Sequence, residues 1–334
     1  MSKRMTVYFR RAVRLVGLPF VQGPEEVLVG GQAVIEGVMM RSPHAWAVAV
    51  RKSSGSTAIN QAYLGRPSER RRWLRYPLLR GLGVLGQAMV LGIRALRYSA
   101  QEALEEATPG EDAVAPKKKP EFNNWLLTLN LVCSLGFFIV FYKFLPLYAA
   151  TYIQRHYGVI HNFVAFNLVD GIIRLVLFLG FLLLLAQSKE IKRVFEYHGA
   201  EHKVVWAFEK TGGNVDLESA RKATRFHPRC GTSFLLVVMV IALIIYLFLP
   251  FQSFAWKLIV RILLLPVIAG VSYEFIRFAA RSKGWIWQCA SQPGLWLQRV
   301  TTREPDDSQL EIAMKALESA MELEKTRGGE LVIA

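Results

Sequence analysis

Cysteine is scarce in this chain: three in 334 residues, at Cys133, Cys230 and Cys289. That rules out a disulfide framework and fits a reducing, cytosolic setting. No uninterrupted apolar core precedes Pro19 and no small-residue cleavage site accompanies it, so a cleaved signal peptide is not expected. No internal repeat of fixed period is found. The run Gly30–Arg41 lacks the Gly-Lys-Ser/Thr ending of a phosphate loop and the GxGxxG spacing of a dinucleotide fold, so its glycines establish only permissive turns. Acidic residues are in deficit too. The formal net charge is +15, and residues 1–80 hold fourteen Lys/Arg against four Asp/Glu. A basic segment tied to apolar spans faces the anionic cytoplasmic leaflet, so the bilayer and its anionic lipid headgroups are the expected partner rather than nucleic acid.

Apolar residues, by contrast, are abundant and clustered. At 52% hydrophobic residues and a mean hydropathy of +0.26, the chain is too apolar for two ordinary soluble domains. Runs at Leu126–Ala150, Phe163–Gln187, Thr232–Phe251 and Trp256–Ala280 each come near the roughly 20 residues a helix needs to cross ~30 Å of hydrocarbon. The expected fold is a mainly α membrane protein: four transmembrane helices within 126–280, a small N-terminal β-rich cytosolic region, and cytosolic helices. Lys/Arg in the loops sets orientation. Residues 188–231 carry nine, whereas Thr151–Asn162 carries Arg155 alone. The 188–231 loop and both termini are therefore expected in the cytoplasm, with the chain multi-pass in the plasma membrane.

Outside the spans the chain divides by composition. Residues 1–26 are a basic N-terminal segment. Residues 27–64 alternate β-rich runs with turn signals at Gly30-Gly31, Arg41-Ser42-Pro43 and Ser53-Ser54-Gly55, which predicts a small sheet. Residues 70–98 join seven arginines to an apolar stretch, Gly81–Ile93, that is too short to span, which predicts an interfacial amphipathic helix. Residues 105–120 have charge, Pro and Gly with little to bury, as a flexible linker does. In the cytosolic C-terminal segment 281–334, Trp285, Trp287 and Trp296 suit headgroup depth. A helix is expected over 308–325, capped by Ser308 with Glu311, and its stripe Leu310, Met314, Leu317, Met321 would pack on the cytosolic region.

The sharpest chemical feature is His198-Gly199-Ala200-Glu201-His202, the His-x-x-Glu-His order of inverted zinc peptidases. On a helix the two imidazoles lie one turn apart on one face. They can share a divalent metal, zinc by preference, while Glu201 polarises a water as general base. The bland alternative is a pair of buried, hydrogen-bonded histidines. A third ligand could come from His227-Pro228-Arg229-Cys230-Gly231, where Pro228 and Gly231 predict a turn back to the His198 helix. Here the alternative is a packing role for Cys230 and a capping role for His227. Glu274 lies deep in an apolar run and needs a partner, with Arg277 and Arg261 the candidates on its own span. Asp170 and Arg174 read as an ion pair at helical spacing.

The runs Gly30–Pro43, Glu196–His202, His227–Ser233, Ser272–Glu274 and Thr301–Asp307 resemble those of the YqhQ-like membrane proteins, a family of unknown function described as predicted metal-dependent enzymes. The resemblance implies a site formed by Glu36, His198, Glu201, His202, His227, Cys230 and Glu274. Two functional expectations follow. One is a metal-dependent hydrolase acting at the cytosolic membrane surface on a membrane-associated substrate. The other is a non-enzymatic scaffold whose metal or histidine cluster is structural and whose basic surface recruits a cytosolic protein partner.

Overall fold

The computed structural model describes residues 29–65, 67, 71–107, 124–158, 160–250, 253–281 and 285–326. The basic segment 1–26, most of the expected linker 105–120, and the side chains of Trp285, Trp287 and Cys289 lie outside the described part. The protein is mainly helical with a small N-terminal antiparallel sheet. Strands β1 (Gly30–Val34), β2 (Gly37–Arg41), β3 (Ala45–Arg51) and β4 (Thr57–Tyr63) pair in sequential order. The helices are α1 (Leu79–Ala107), α2 (Asn124–Ile139), α3 (Leu145–Tyr157), α4 (Phe163–Leu185), α5 (Lys189–Thr211), α6 (Leu217–Lys222), α7 (Gly231–Leu247), α8 (Phe254–Leu263), α9 (Leu265–Arg281), α10 (Trp285–Thr301) and α11 (Asp307–Thr326). A π-helical turn, Val140–Phe144, joins α2 to α3.

The sheet is covered on both faces, and its alternation of large and small residues has that cause. Trp46, Val48 and Val50 of β3 join Val34, Met39 and Leu64 against Leu91 and Ala95 of α1. Their neighbours Ala47 and Ala49 face the other way and, with Val38 and Met40, pack against Tyr197, Ala200 and Val204 of α5 and Leu310, Ala313 and Leu317 of α11. Small residues on that face let two helices approach the strands closely. Each buried large side chain contributes roughly 1.5–3 kcal/mol relative to exposure. The C-terminal helix therefore docks where its apolar stripe predicts. Its cap differs from the expected Ser308: Asp306 Oδ1 accepts from the Gln309 amide at 2.9 Å, and Gln309 Oε1 accepts from the Asp306 amide at 2.9 Å. Aspartate takes the capping position because its carboxylate accepts strongly at the positive helix end, and Ser308 Oγ instead donates to it at 2.6 Å.

Among the described residues, three helices are long and apolar enough to cross a membrane, or up to four if a bent pair counts as one span. Thr128–Tyr157 and Phe163–Leu185 match expected spans. The expected span Trp256–Ala280 is broken at Leu264 into α8 and α9, bent by 48°. Gly231–Leu247 is apolar but shorter. The helix expected within 70–98 runs further, and its Leu79–Leu104 stretch of 26 residues passes the same test of length and apolarity.

Candidate metal centre

Helix α5 carries the two central histidines, and its ends are set locally. Ser188 caps it by accepting from the Ile191 amide at 3.4 Å, and Gly212 stops it at φ 67°. Tyr197, Ala200, Val204, Val205 and Phe208 are buried against the sheet and α11, which fixes the rotation of the helix. That rotation turns His198 and His202 toward the loop preceding α7. There Pro228 shapes a turn in which the Cys230 amide donates to the His227 carbonyl at 3.3 Å. Cys230 is the residue immediately before α7, so its thiol sits at that helix's N-terminus.

The ligand atoms of His198, His202 and Cys230 all lie within 4.8 Å of one another. His198 Nε2 is 3.2 Å from Cys230 Sγ. The opposite ring nitrogens are both occupied: His198 Nδ1 is 2.7 Å from the Thr301 carbonyl and His202 Nδ1 is 2.5 Å from the Arg225 carbonyl. A carbonyl only accepts, so each Nδ1 carries a proton, and Nε2 of each ring is the atom turned to the shared space as a ligand. This is the outer-shell arrangement that orients metal-binding histidines. Glu201, 6% exposed, places Oε2 3.5 Å from His202 Nε2. A tetrahedral zinc with bonds of about 2.3 Å to sulfur and 2.0–2.1 Å to nitrogen needs ligand atoms roughly 3.5 Å apart, close to the 3.2 Å between His198 Nε2 and Cys230 Sγ. The set offers three donors and a neighbouring carboxylate, which is the composition of an open zinc site.

Two glycines make the geometry possible. A Cβ at Gly199 would collide with the Arg303 carbonyl oxygen, so only glycine lets the Thr301–Asp307 segment lie against α5, where the Arg303 amide donates to the Phe195 carbonyl at 2.9 Å. A Cβ at Gly31 would lie 2.9 Å from Glu201 Cγ and would also clash with the β2 backbone, so the sheet edge accommodates Glu201 only with glycine there. An open cleft of about 600 Å³ is lined by Glu196, Arg225, Arg299, Arg303 and Glu304 with Leu183 and Ala186 from the end of α4; its link to the cluster is Arg225, whose carbonyl accepts from His202 Nδ1.

The other expected site residues lie elsewhere. His227 is buried near the cluster, with its ring centroid 5.7 Å from that of His202, but it is not one of the three grouped ligands. Its Nδ1 accepts from the Arg229 amide at 3.3 Å, and its Nε2 is 3.5 Å from Glu209, beyond a well-formed hydrogen bond. Burial pushes its pKa below the ordinary histidine range, and the Glu201 charge works against that shift. Glu36 sits in the β1–β2 turn at φ 52°, where it pairs with Arg193 and accepts from Tyr197 Oη at 3.2 Å, holding the hairpin to α5. Glu274 accepts from Arg80 Nε at 2.7 Å and pairs with the same guanidinium a second time. This guanidinium is on α1; Arg261 is instead engaged by Asp170 and Asn167. Sequence reasoning missed Gln298, fully buried, which clamps the 227–233 segment through the His227 amide at 2.8 Å, its carbonyl at 2.7 Å and Ser233 Oγ at 2.9 Å. It missed the Thr301 and Arg225 carbonyls as well, since a backbone acceptor leaves no mark in composition.

Residues 76–323 match the family model described as a protein of unknown function (DUF1385). The chain belongs to this family. The DUF1385 match contains every residue of the cluster, from His198 through Cys230 to Thr301, whereas Gly31 and Glu36 precede it. A curated relative is the uncharacterized protein YqhQ of Bacillus subtilis (strain 168), 30% identical over 300 residues, covering 88% of this chain and 92% of that protein. The expected kinship with the YqhQ-like proteins is thereby shown. No solved structure matches the chain.

Proposed function

We propose that this chain is a multi-pass plasma-membrane protein whose His198, His202 and Cys230 hold a zinc-type ion at the cytosolic membrane surface, and that Glu201 serves there as general base in a hydrolytic reaction on a membrane-associated substrate. The observation that carries the reading is the pair of carbonyls, Thr301 and Arg225, which commit both Nδ1 protons away from the shared space. Such an ion supplies Lewis acidity and lowers the pKa of water toward about 7. Glu201, buried beside His202 Nε2, is placed to take up a proton. Arg225, Arg299 and Arg303, which line an open cleft, suit a substrate with an anionic group.

In this reading α2–α3, α4, α7 and the bent pair α8–α9 are the four spans, with both termini and residues 188–231 cytosolic. Helix α1 lies along the surface despite its length, because Leu91 and Ala95 cover the sheet and Lys52 pairs with Glu102 at 2.8 Å. A helix half committed to a charged-edged sheet does not enter hydrocarbon. Its outward residues Met89, Val90, Ile93 and Leu96 are exposed, as interfacial burial requires.

The second reading, a scaffold with a hydrogen-bonded cluster, is favoured by the 3.2 Å separation of His198 Nε2 and Cys230 Sγ, which a thiol-to-imidazole hydrogen bond also satisfies. Metal analysis of the purified protein separates the two. The expected result is about one zinc-like ion per chain, lost at acid pH and in a His198→Ala/His202→Ala variant. Equal metal content in that variant and the wild type removes the metal site. Glu201→Gln should keep the metal yet lose cellular activity by on the order of 10²–10⁴. Full complementation of a deletion strain by a metal-replete Glu201→Gln protein removes the hydrolase.

A further inference from the structure

A second cluster of charged groups lies among the apolar helices. Lys143, Arg174 and Arg261 are 4%, 4% and 2% exposed, and all three surround one tyrosine, Tyr246, which is itself fully buried. The guanidinium carbons of Arg174 and Arg261 lie 5.2 and 4.8 Å from the Tyr246 ring centroid, and Lys143 Nζ is 3.1 Å from its hydroxyl. Asp170, at 0% exposure, is the carboxylate these groups share: Arg174 pairs with one oxygen and Arg261 Nη1 donates to the other at 2.7 Å. Asn167 Oδ1 accepts from Arg261 Nη2 at 2.7 Å.

The charges do not balance. Among the described residues of the cluster, three buried basic groups face one buried carboxylate, leaving up to two positive charges in excess. Buried ions without counter-charge cost several kcal/mol each. The C-terminal end of α8, next to Arg261, offsets at most about half a charge. Tyr246 offers a ring quadrupole and a hydroxyl, but no charge. Arg174 Nε is buried with no hydrogen-bond partner, so the cluster also holds a donor without an acceptor. Lys143 is presented by the π-helical turn between α2 and α3, a distortion that recurs at functional sites. Opposite it the eighth helix ends in the 48° break. Along α4, Asp170 and Arg174 stand roughly 10 and 16 Å from the Phe163 end at 1.5 Å per residue, well inside the helix.

We propose that Lys143, Arg174 and Arg261, arranged round Asp170 and Tyr246, bind a phosphate-type oxyanion within the apolar helix bundle. A phosphate or phosphate monoester carries about −1.5 to −2 at neutral pH, which matches the excess, whereas a single carboxylate leaves half of it. Its oxygens accept from the guanidinium forks and from the free Nε proton. The phosphate can come from water or from the headgroup of a lipid.

The test uses the full chain purified into zwitterionic lipid nanodiscs. One arm titrates inorganic phosphate, the other adds phosphatidic acid, and melting temperature and bound phosphorus are read. At least one probe should bind saturably and raise the melting temperature, and the responding arm identifies the source. Lys143→Met removes one excess cation while leaving both Asp170 pairs, so it should weaken binding at least about tenfold. Where that variant does not fold, Arg174→Lys takes its place: it keeps the charge, loses the Nε donor, and should show a similar loss. Absence of saturable binding by both probes, or wild-type affinity in the folded variant, overturns the site.

Discussion

Gly199 shows how closely one residue position can control the candidate centre. It lies between His198 and Glu201, and its missing side chain is the space in which the Arg303 carbonyl sits. Gly199→Ala raises intrinsic helix propensity by roughly 1 kcal/mol yet forces the 301–306 segment off α5. The collision is with backbone, which cannot rotate away, so the net effect should be a loss of about 1–3 kcal/mol of stability. Because the displaced segment includes Thr301, whose carbonyl holds His198 Nδ1, metal affinity should fall with it. Calorimetric melting and metal content of the variant check this. A Gly199→Ala protein as stable and as metal-replete as the wild type contradicts the packing described.

At the scale of elements, the C-terminal helix is held to the sheet by one buried carboxylate as well as by its apolar stripe. Glu324 accepts from Ser42 Oγ at 2.6 Å and from the His44 amide at 2.8 Å, and its other oxygen is 2.7 Å from His44 Nδ1. Burial acts to raise its pKa, but the hydrogen bonds from Ser42 and His44 prevail and hold it below the ordinary range. A carboxylate whose folded pKa is depressed contributes stability above its unfolded value, about 4.3, and that contribution is lost as pH falls through the folded value. Glu324→Gln should therefore melt lower than the wild type at pH 7, by roughly 1–3 kcal/mol. The gap should close as pH is taken from about 6 toward 3. A gap independent of pH would show that the carboxylate's charge contributes nothing to the docking.

For the whole molecule, the charged loops and the covered sheet point the same way: the sheet, α5, α11 and the histidine cluster form one body beside the apolar helices. Its orientation is testable with a cysteine placed at Asn214, in the turn after α5. It should resist an impermeant thiol reagent applied to intact cells and react once the membrane is opened, against the background labelling of Cys133, Cys230 and Cys289 in the parent. Reaction from outside reverses the proposed topology. The same body explains why four of the five family runs, spread from residue 30 to residue 307, meet, while Ser272–Glu274 packs against α1. Gly31 abuts Glu201, the 227–233 turn delivers Cys230, and Thr301 receives His198.

The apolar helices, the β-rich region and the two histidines one turn apart were legible because each is a periodic or contiguous pattern whose meaning is local. Asp170 and Arg174 were legible for the same reason, being four residues apart on one helix. Partners far apart in sequence were not. Glu274 has Arg277 at helical spacing, yet it also accepts twice from Arg80 and once from the Leu78 amide, because α1 crosses α9 at that level. Arg261 reaches Asp170 across helices and so turns an expected pair into the unbalanced cluster. Cys230 rather than His227 joins the histidines because Gln298 fixes the backbone of that turn on both sides of His227. The chain alone determined which side chains were available for chemistry. Which of them share a few ångströms was decided by helix crossings and by backbone carbonyls, whose positions depend on the whole fold and whose chemistry is the same at every residue.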